Sequence, residues 1–507
     1  MNSQVINIAI VVAYLAAMLL FGWWGKSRTK NTSDFLVAGR RLGPLLYTGT
    51  MAAVVLGGAS TVGGVGLGYQ YGISGMWLVV AIGAGVLLLS LLFAPTLQKL
   101  RIYTVAQMLT LRYGVHATRF SGIVMLAYTL MLCATSTGAY ATIMVVLFGW
   151  ERWLAILVGG VIVLVYSTVG GMWSITLADM AQFTIKTIGV FFLMLPLTWS
   201  SAGGIDGIRS RVDAEFFSIT GIGVQTIITY FVVYTLGLLI GQDIWQRVFT
   251  ARTPQVARWG GAVAGIYCIL YGAAGAMIGM AAAVVMPNIE VPDDVYADVA
   301  MNLLPLGVGG VVLAAAVAAM MSTASGTLIA AATVAKADVV PFVMSWFGKT
   351  VQYDHERAEH DVAGNRWWVF GLGALSILLA ILVQDVVAAL TIAYDILVGG
   401  LLIAILGGLV WKRGTGMGAA VSMAVGSVVT LTTMIVLEIN AENQYDGVYA
   451  NEPIYYGLAA SLVSYIAVSL STRPTDPAVR AAWDRRVAGA AAQEVPVAGP
   501  EEELSRR

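Results

Sequence analysis

Charged side chains make up only 11% of the 507 residues, against roughly 25% in soluble domains, too few to build a water-facing surface. Cysteine is nearly absent. The two thiols, Cys133 and Cys268, lie inside apolar runs, which excludes a disulfide framework or a thiolate metal site and leaves them a packing role. The three histidines, His116, His355 and His360, fall in polar loops without clustered partners, so no metal beyond a transported ion and no catalytic residue is expected. Net charge is zero, which gives nucleic acid nothing to bind. The GVGLG run at 64–68 has no strand before it and no lysine after it, so it is not a phosphate loop.

What the chain has is apolar residues, 58% of the total. The solvent they imply is a lipid bilayer, because runs long enough to cross a ~30 Å hydrocarbon core recur from Val5 to Leu470. Thirteen spans are expected, near 5–25, 43–71, 74–96, 119–147, 153–170, 175–199, 221–241, 259–286, 305–333, 367–384, 387–411, 416–437 and 454–471. The first lacks the basic leader and small-residue cleavage site of a secretory signal and is read as a retained helix. With the N-terminus outside, 24 of the 28 basic residues fall on inner segments; Arg152, Arg209 and Arg211 lie outside and Lys186 lies within a span. This asymmetry places the protein in the inner (plasma) membrane with its C-terminus cytoplasmic.

Glycine is densest from Leu56 to Gly68, LGGASTVGGVGLG. A break at membrane depth is expected there, and such breaks are tolerated only where they are buried or line a cavity. Residues 472–507 are rich in Ala, Pro and charge and read as a mobile cytoplasmic tail.

Five local sequences carry a family resemblance: SDFLVAGRRLGP (33–44), AAVVLGGASTVGG (52–64), YSTVGGMWSITLADMAQ (166–182), GQDIWQRVFTAR (241–252) and AAMMSTASGTLIAA (318–331). In this order and spacing the chain resembles the sodium/solute symporters, which include carriers of proline, pantothenate, sialic acid and sugars. The resemblance implies an all-α integral membrane protein with a leucine-transporter-type core of two inverted five-helix repeats. Residues 1–42 would then form the first helix and its loop, 43–411 the ten-helix core, and 412–471 two peripheral helices. It also implies a sodium-coupled importer of a small organic solute, with sodium as the coupling ion and no other cofactor. The open alternatives are a proton-coupled carrier and a transporter-like sensor.

Carried over position by position, the resemblance puts the main sodium ligands on the carbonyls of Ala53, Leu56 and Ala319 and the hydroxyls of Ser322 and Thr323. Oxygen ligands suit a hard cation. A second sodium site would use Asp179 and Ser325, but its last hydroxyl position is Gly326 here. Asp179 is therefore open between a second site, an exit path and a pair with Lys186, two turns along its face. Val55 stands where relatives carry Asp or Asn. Solute contacts would fall on Ser60, Tyr234 and Thr391. Asp395, one turn beyond Thr391, is open between a counter-charge or proton relay at the solute and a structural hydrogen bond near Gly399 and Gly400. Asp243 and Arg247, at i and i+4, are expected to form an inner-gate or solvated pair.

Overall fold

The structure, a computed structural model, describes residues 3–114, 120–347, 361–382, 386–443 and 445–489. The three histidines lie outside them. In lipid a backbone must satisfy its own polar groups, and the described residues do so as helices. They contain no strand, only an isolated bridge between Leu42 and Ala251 that ties the loop before the first core helix to the end of Gln242–Thr250.

Among the described residues ten helices are long and apolar enough to cross a membrane, or eleven if Val224–Leu238 and Gln242–Thr250, which meet at 47°, form one bent crossing. The bundle is organised around Val308–Val334, which is buried without interruption from Val312 onward. Its alanines, serines and threonines let neighbouring helices approach closely, and Ser3–Arg28, Ser121–Phe148 and Arg152–Thr187 all pack on it.

Among the described residues, three helix breaks shape the site. Pro44–Val55 ends where Leu56 leaves helical geometry (φ −90°, ψ 78°), and the chain resumes as Ala59–Gly63 and Gly64–Tyr71. This is the break expected from the glycine cluster, and it falls at the cluster's start. The second lies between Leu238 and Gln242. The third is at Gly171 inside Arg152–Thr187, with φ 57° and ψ −147°. A Cβ there would meet Phe35 Cδ2 at 2.6 Å and the Phe35 carbonyl oxygen at 2.7 Å, so both backbone angle and space require glycine.

The segment expected to be a mobile tail is in part ordered. Pro477–Ala488 is a helix capped by the Asp476 side chain, and it packs on Ala94–Lys99 and Val105–Tyr113 with Trp483 buried. Its composition looked solvated because few apolar side chains, Trp483 and Val487, make the contact. Residues 490–507 lie outside the described residues.

Candidate ion and solute site

The break at Leu56 frees backbone carbonyls at the C-terminal, negative end of Pro44–Val55. The Lys186 ammonium, fully buried on the Arg152–Thr187 helix, donates to two of them, Ala53 O at 3.0 Å and Leu56 O at 3.2 Å. The carbonyl between them, Val54 O, accepts from Thr323 Oγ1 at 2.7 Å. Thr323 Oγ1 also lies 3.4 Å from Ala319 O on its own helix. Gly57 permits this approach, since a Cβ there would sit 2.7 Å from Thr323 Oγ1. The five positions assigned to the main ion, Ala53, Leu56, Ala319, Ser322 and Thr323, therefore lie at one junction between the broken helix and Val308–Val334.

Beside it Asp179 is fully buried and its carboxylate is fully engaged. Ser322 Oγ donates to Oδ1 at 2.7 Å, while Oδ2 accepts from Thr50 Oγ1 and from Arg247 Nη2, the latter at 3.1 Å. Of the readings left open for Asp179, the ion pair with Lys186 gives way to one with Arg247. The expected pairing of Asp243 with Arg247 also gives way, because Asp243 accepts from Tyr128 OH at 3.0 Å. Helical spacing allowed both local pairs, but a tertiary partner took each side chain. Arg247, placed by sequence on an inner segment, is instead buried in the bundle.

Ser325 donates to its own helix, to Ser322 O at 3.1 Å. At Gly326 a Cβ would lie 2.6 Å from Val54 Cγ2 and 3.0 Å from Arg247 Nη2. The glycine that replaces a hydroxyl residue is thus the place where the guanidinium fits.

Beside the break, a cavity of about 510 Å³ has Gly58, Tyr230, Tyr234, Asp293, Thr391, Asp395 and Asn451 in its lining. Asp395 is 1% exposed, and among the described residues neither carboxylate oxygen has a hydrogen-bond partner. A smaller space below it is lined by Val55, Ser60, Tyr234, Asp243 and Thr323. Ser60 Oγ donates to Gly57 O at 3.1 Å, which supports the unwound turn. Tyr234 packs edge-on against Tyr394 at 5.3 Å, and Tyr394 against Tyr128 at 5.7 Å. Of the four expected solute positions, Tyr234, Thr391 and Asp395 share the large cavity, and Ser60 faces the small one with Tyr234. Val55, the apolar departure, lies on the wall of the small space.

Sequence reasoning missed the role of Lys186 toward Ala53 and Leu56, and it missed Thr50. The signal for the first was a lone lysine within an apolar span; for Thr50 there was none.

Residues 35–426, more than half of the chain, match the sequence profile of the sodium:solute symporter family. The chain belongs to that family. The symporter is 24% identical over 489 residues to the high-affinity proline transporter PutP of Bacillus subtilis (strain 168), covering 91% of this chain and 97% of that one. It is 26% identical over 343 residues to the human sodium/iodide cotransporter, covering 63% and 53% of the two chains. Among solved structures, a Na+-coupled sialic acid symporter superposes with a TM-score of 0.78 at 18% identity, covering 93% of this chain and 98% of that one. Mhp1, a nucleobase-cation-symport-1 family transporter, superposes at 0.52 with 15% identity, covering 90% and 99%. These likenesses place the symporter in the same fold as those transporters.

Proposed function

We propose that this symporter uses sodium to drive uptake of a small amine-bearing organic solute across the plasma membrane by alternating access. The observation that carries the solute class is Asp395, a buried carboxylate without a hydrogen-bond partner on the wall of the large cavity. A carboxylate at membrane depth is costly and faces a partner or a cavity. Among the described residues the lining includes no Lys, Arg or His, while Tyr230, Tyr234 and Tyr449 contribute aromatic rings, whose faces attract cations. A simple monoanion would be repelled.

In this reading the chain crosses thirteen times, with Ala59–Lys99 divided after Tyr71. Pro44–Val55 with Ala59–Tyr71 makes one broken crossing, and Arg152–Thr187 with its continuation makes two, divided at Gly171. The bent Val224–Leu238 and Gln242–Thr250 pair makes another. In this reading the core of 43–411 consists of two inverted repeats, and each opens with its interrupted helix, the arrangement in which transporters place their binding sites.

With the N-terminus outside, Asp293 and Asn451 stand at the extracellular mouth of the cavity. Beneath it, Tyr128, Asp243 and Tyr394 form the inner closure. Sodium at the junction of Ala53, Leu56, Ala319, Ser322 and Thr323 would fix the broken helix against Val308–Val334, and the solute above would favour closure over it. Reciprocity then requires solute to raise sodium affinity by the factor by which sodium raises that of the solute. The second positions, Asp179 and Ser325, serve in this reading as support and exit path, because Arg247 already neutralises the carboxylate.

A panel of amine-bearing, neutral and anionic solutes, screened by thermal shift with and without sodium, tests the assignment. An amine-bearing ligand whose shift grows with sodium is expected. A preference for anions would refute the solute class.

A further inference from the structure

We propose that the Lys186 ammonium is a tethered cation that competes with sodium for the carbonyls of Ala53 and Leu56, so that this junction holds one of the two at a time. The inference rests on sodium as the coupling ion.

The geometry supplies three reasons. First, the ammonium and sodium want the same thing: both are compact, strongly hydrated cations that seek oxygen, and Lys186 has taken the two carbonyls that the helix break sets free, at 3.0 and 3.2 Å. The negative pole of Pro44–Val55 favours a positive charge there, whichever cation brings it.

Second, the charge count admits one cation. Asp179 is the carboxylate next to the junction, and it already pairs with Arg247 at 3.1 Å, both side chains fully buried. Lys186 is therefore the second buried cation beside a single carboxylate, held by the two carbonyl dipoles and by the field of an Asp179 that Arg247 already pairs with. A sodium ion beside it would put a second uncompensated positive charge a few ångströms away in a low-dielectric interior.

Third, Lys186 is fully buried and its hydrogen bonds run to these two carbonyls. Each carbonyl keeps a second lone pair, but a sodium ion placed on it would sit against the ammonium, so charge repulsion makes the ion displace the amine. The broken helix is thus latched to Arg152–Thr187 by the lysine, or released from it and held to Val308–Val334 by the ion. Sodium affinity would be set by a contest inside the protein as much as by its ligands.

A lysine that merely caps the helix end would affect stability and leave sodium affinity alone, and that difference is the test. Purified full-length wild type, Lys186→Met, Lys186→Gln and Lys186→Arg are melted over a sodium chloride series at ionic strength held constant with choline chloride. Met removes charge and donors, Gln removes the charge but keeps a donor, and Arg keeps both. The proposal predicts apparent sodium affinity at least tenfold higher in the Met and Gln variants than in wild type, with Arg near wild type. Should Lys186→Met fail to fold, Gln against Arg gives the same contrast. Equal or weaker sodium affinity in Met and Gln, with a sodium response in wild type, overturns the competition and leaves sodium coupling standing. A response in the variants alone shows that the lysine excludes sodium from the wild type outright, which overturns both the exchange of one cation for the other and sodium coupling. No response in any of the four proteins overturns both the competition and sodium coupling.

Discussion

Arg247 passes over Asp243, one turn before it on its own helix, and pairs with Asp179 of a different helix at 3.1 Å. The pair joins the inner half of the second broken helix to the helix that carries Lys186, and Ser322 and Thr50 complete the carboxylate's shell. Removing one partner of such a buried pair strands a charge and typically costs about 3–5 kcal/mol, whereas removing both costs much less. Arg247→Met should therefore lower thermal stability in detergent far more than Asp179→Asn combined with Arg247→Met. Additive losses in the double variant would show that the two side chains act separately.

Ser322 and Thr323 face different partners across the same junction, the Asp179 carboxylate and the Val54 carbonyl. Replacing both by alanine removes two candidate ion ligands and the hydroxyl that links Val308–Val334 to the broken helix. Apparent sodium affinity should fall at least tenfold, about 1.4 kcal/mol or more, as read by sodium-dependent thermal shift. Unchanged sodium dependence in the folded double variant would place the ion elsewhere.

Asp395 and Thr391 lie one turn apart on the same helix and both reach the cavity, while the ion junction is built from other helices. Asp395→Asn should weaken uptake of an amine-bearing solute far more than it weakens sodium binding. Parallel loss of both, or failure of the protein to assemble, would instead make Asp395 a structural residue.

The proposed orientation rests on the distribution of basic residues. A reporter fused after Arg507 should be cytoplasmic, and a cysteine at Asp294 should react with an impermeant reagent added outside. The native thiols Cys133 and Cys268 are buried and should stay silent in this assay. A periplasmic reporter signal would break the thirteen-crossing topology.

How far the sequence could be read depended on how local each feature is. The glycine cluster from Leu56 announced the helix break, because backbone freedom is encoded where it is used. Ser322 and Thr323 stood out as hydroxyls on an alanine-rich helix, and Asp395 as a lone carboxylate in an apolar run. The partners of the charged side chains were not legible. Helical spacing offered Asp179 to Lys186 and Asp243 to Arg247, yet both cations bind across the bundle, where Gly326 and the freed carbonyls make room that no spacing rule records. The tail misled for a related reason: composition reported a solvated segment, and Trp483 with Val487 was enough to dock it.

The central claim is that a sodium gradient drives solute through the cavity at Asp395, and proteoliposome uptake measures it most directly. The amine-bearing solute that gives the largest sodium-dependent thermal shift would be supplied at equal internal and external pH, with sodium high outside and low inside. The account predicts concentrative uptake that collapses when the sodium gradient is dissipated and that Asp395→Asn abolishes. Uptake that ignores the sodium gradient, or none under any gradient, would contradict it.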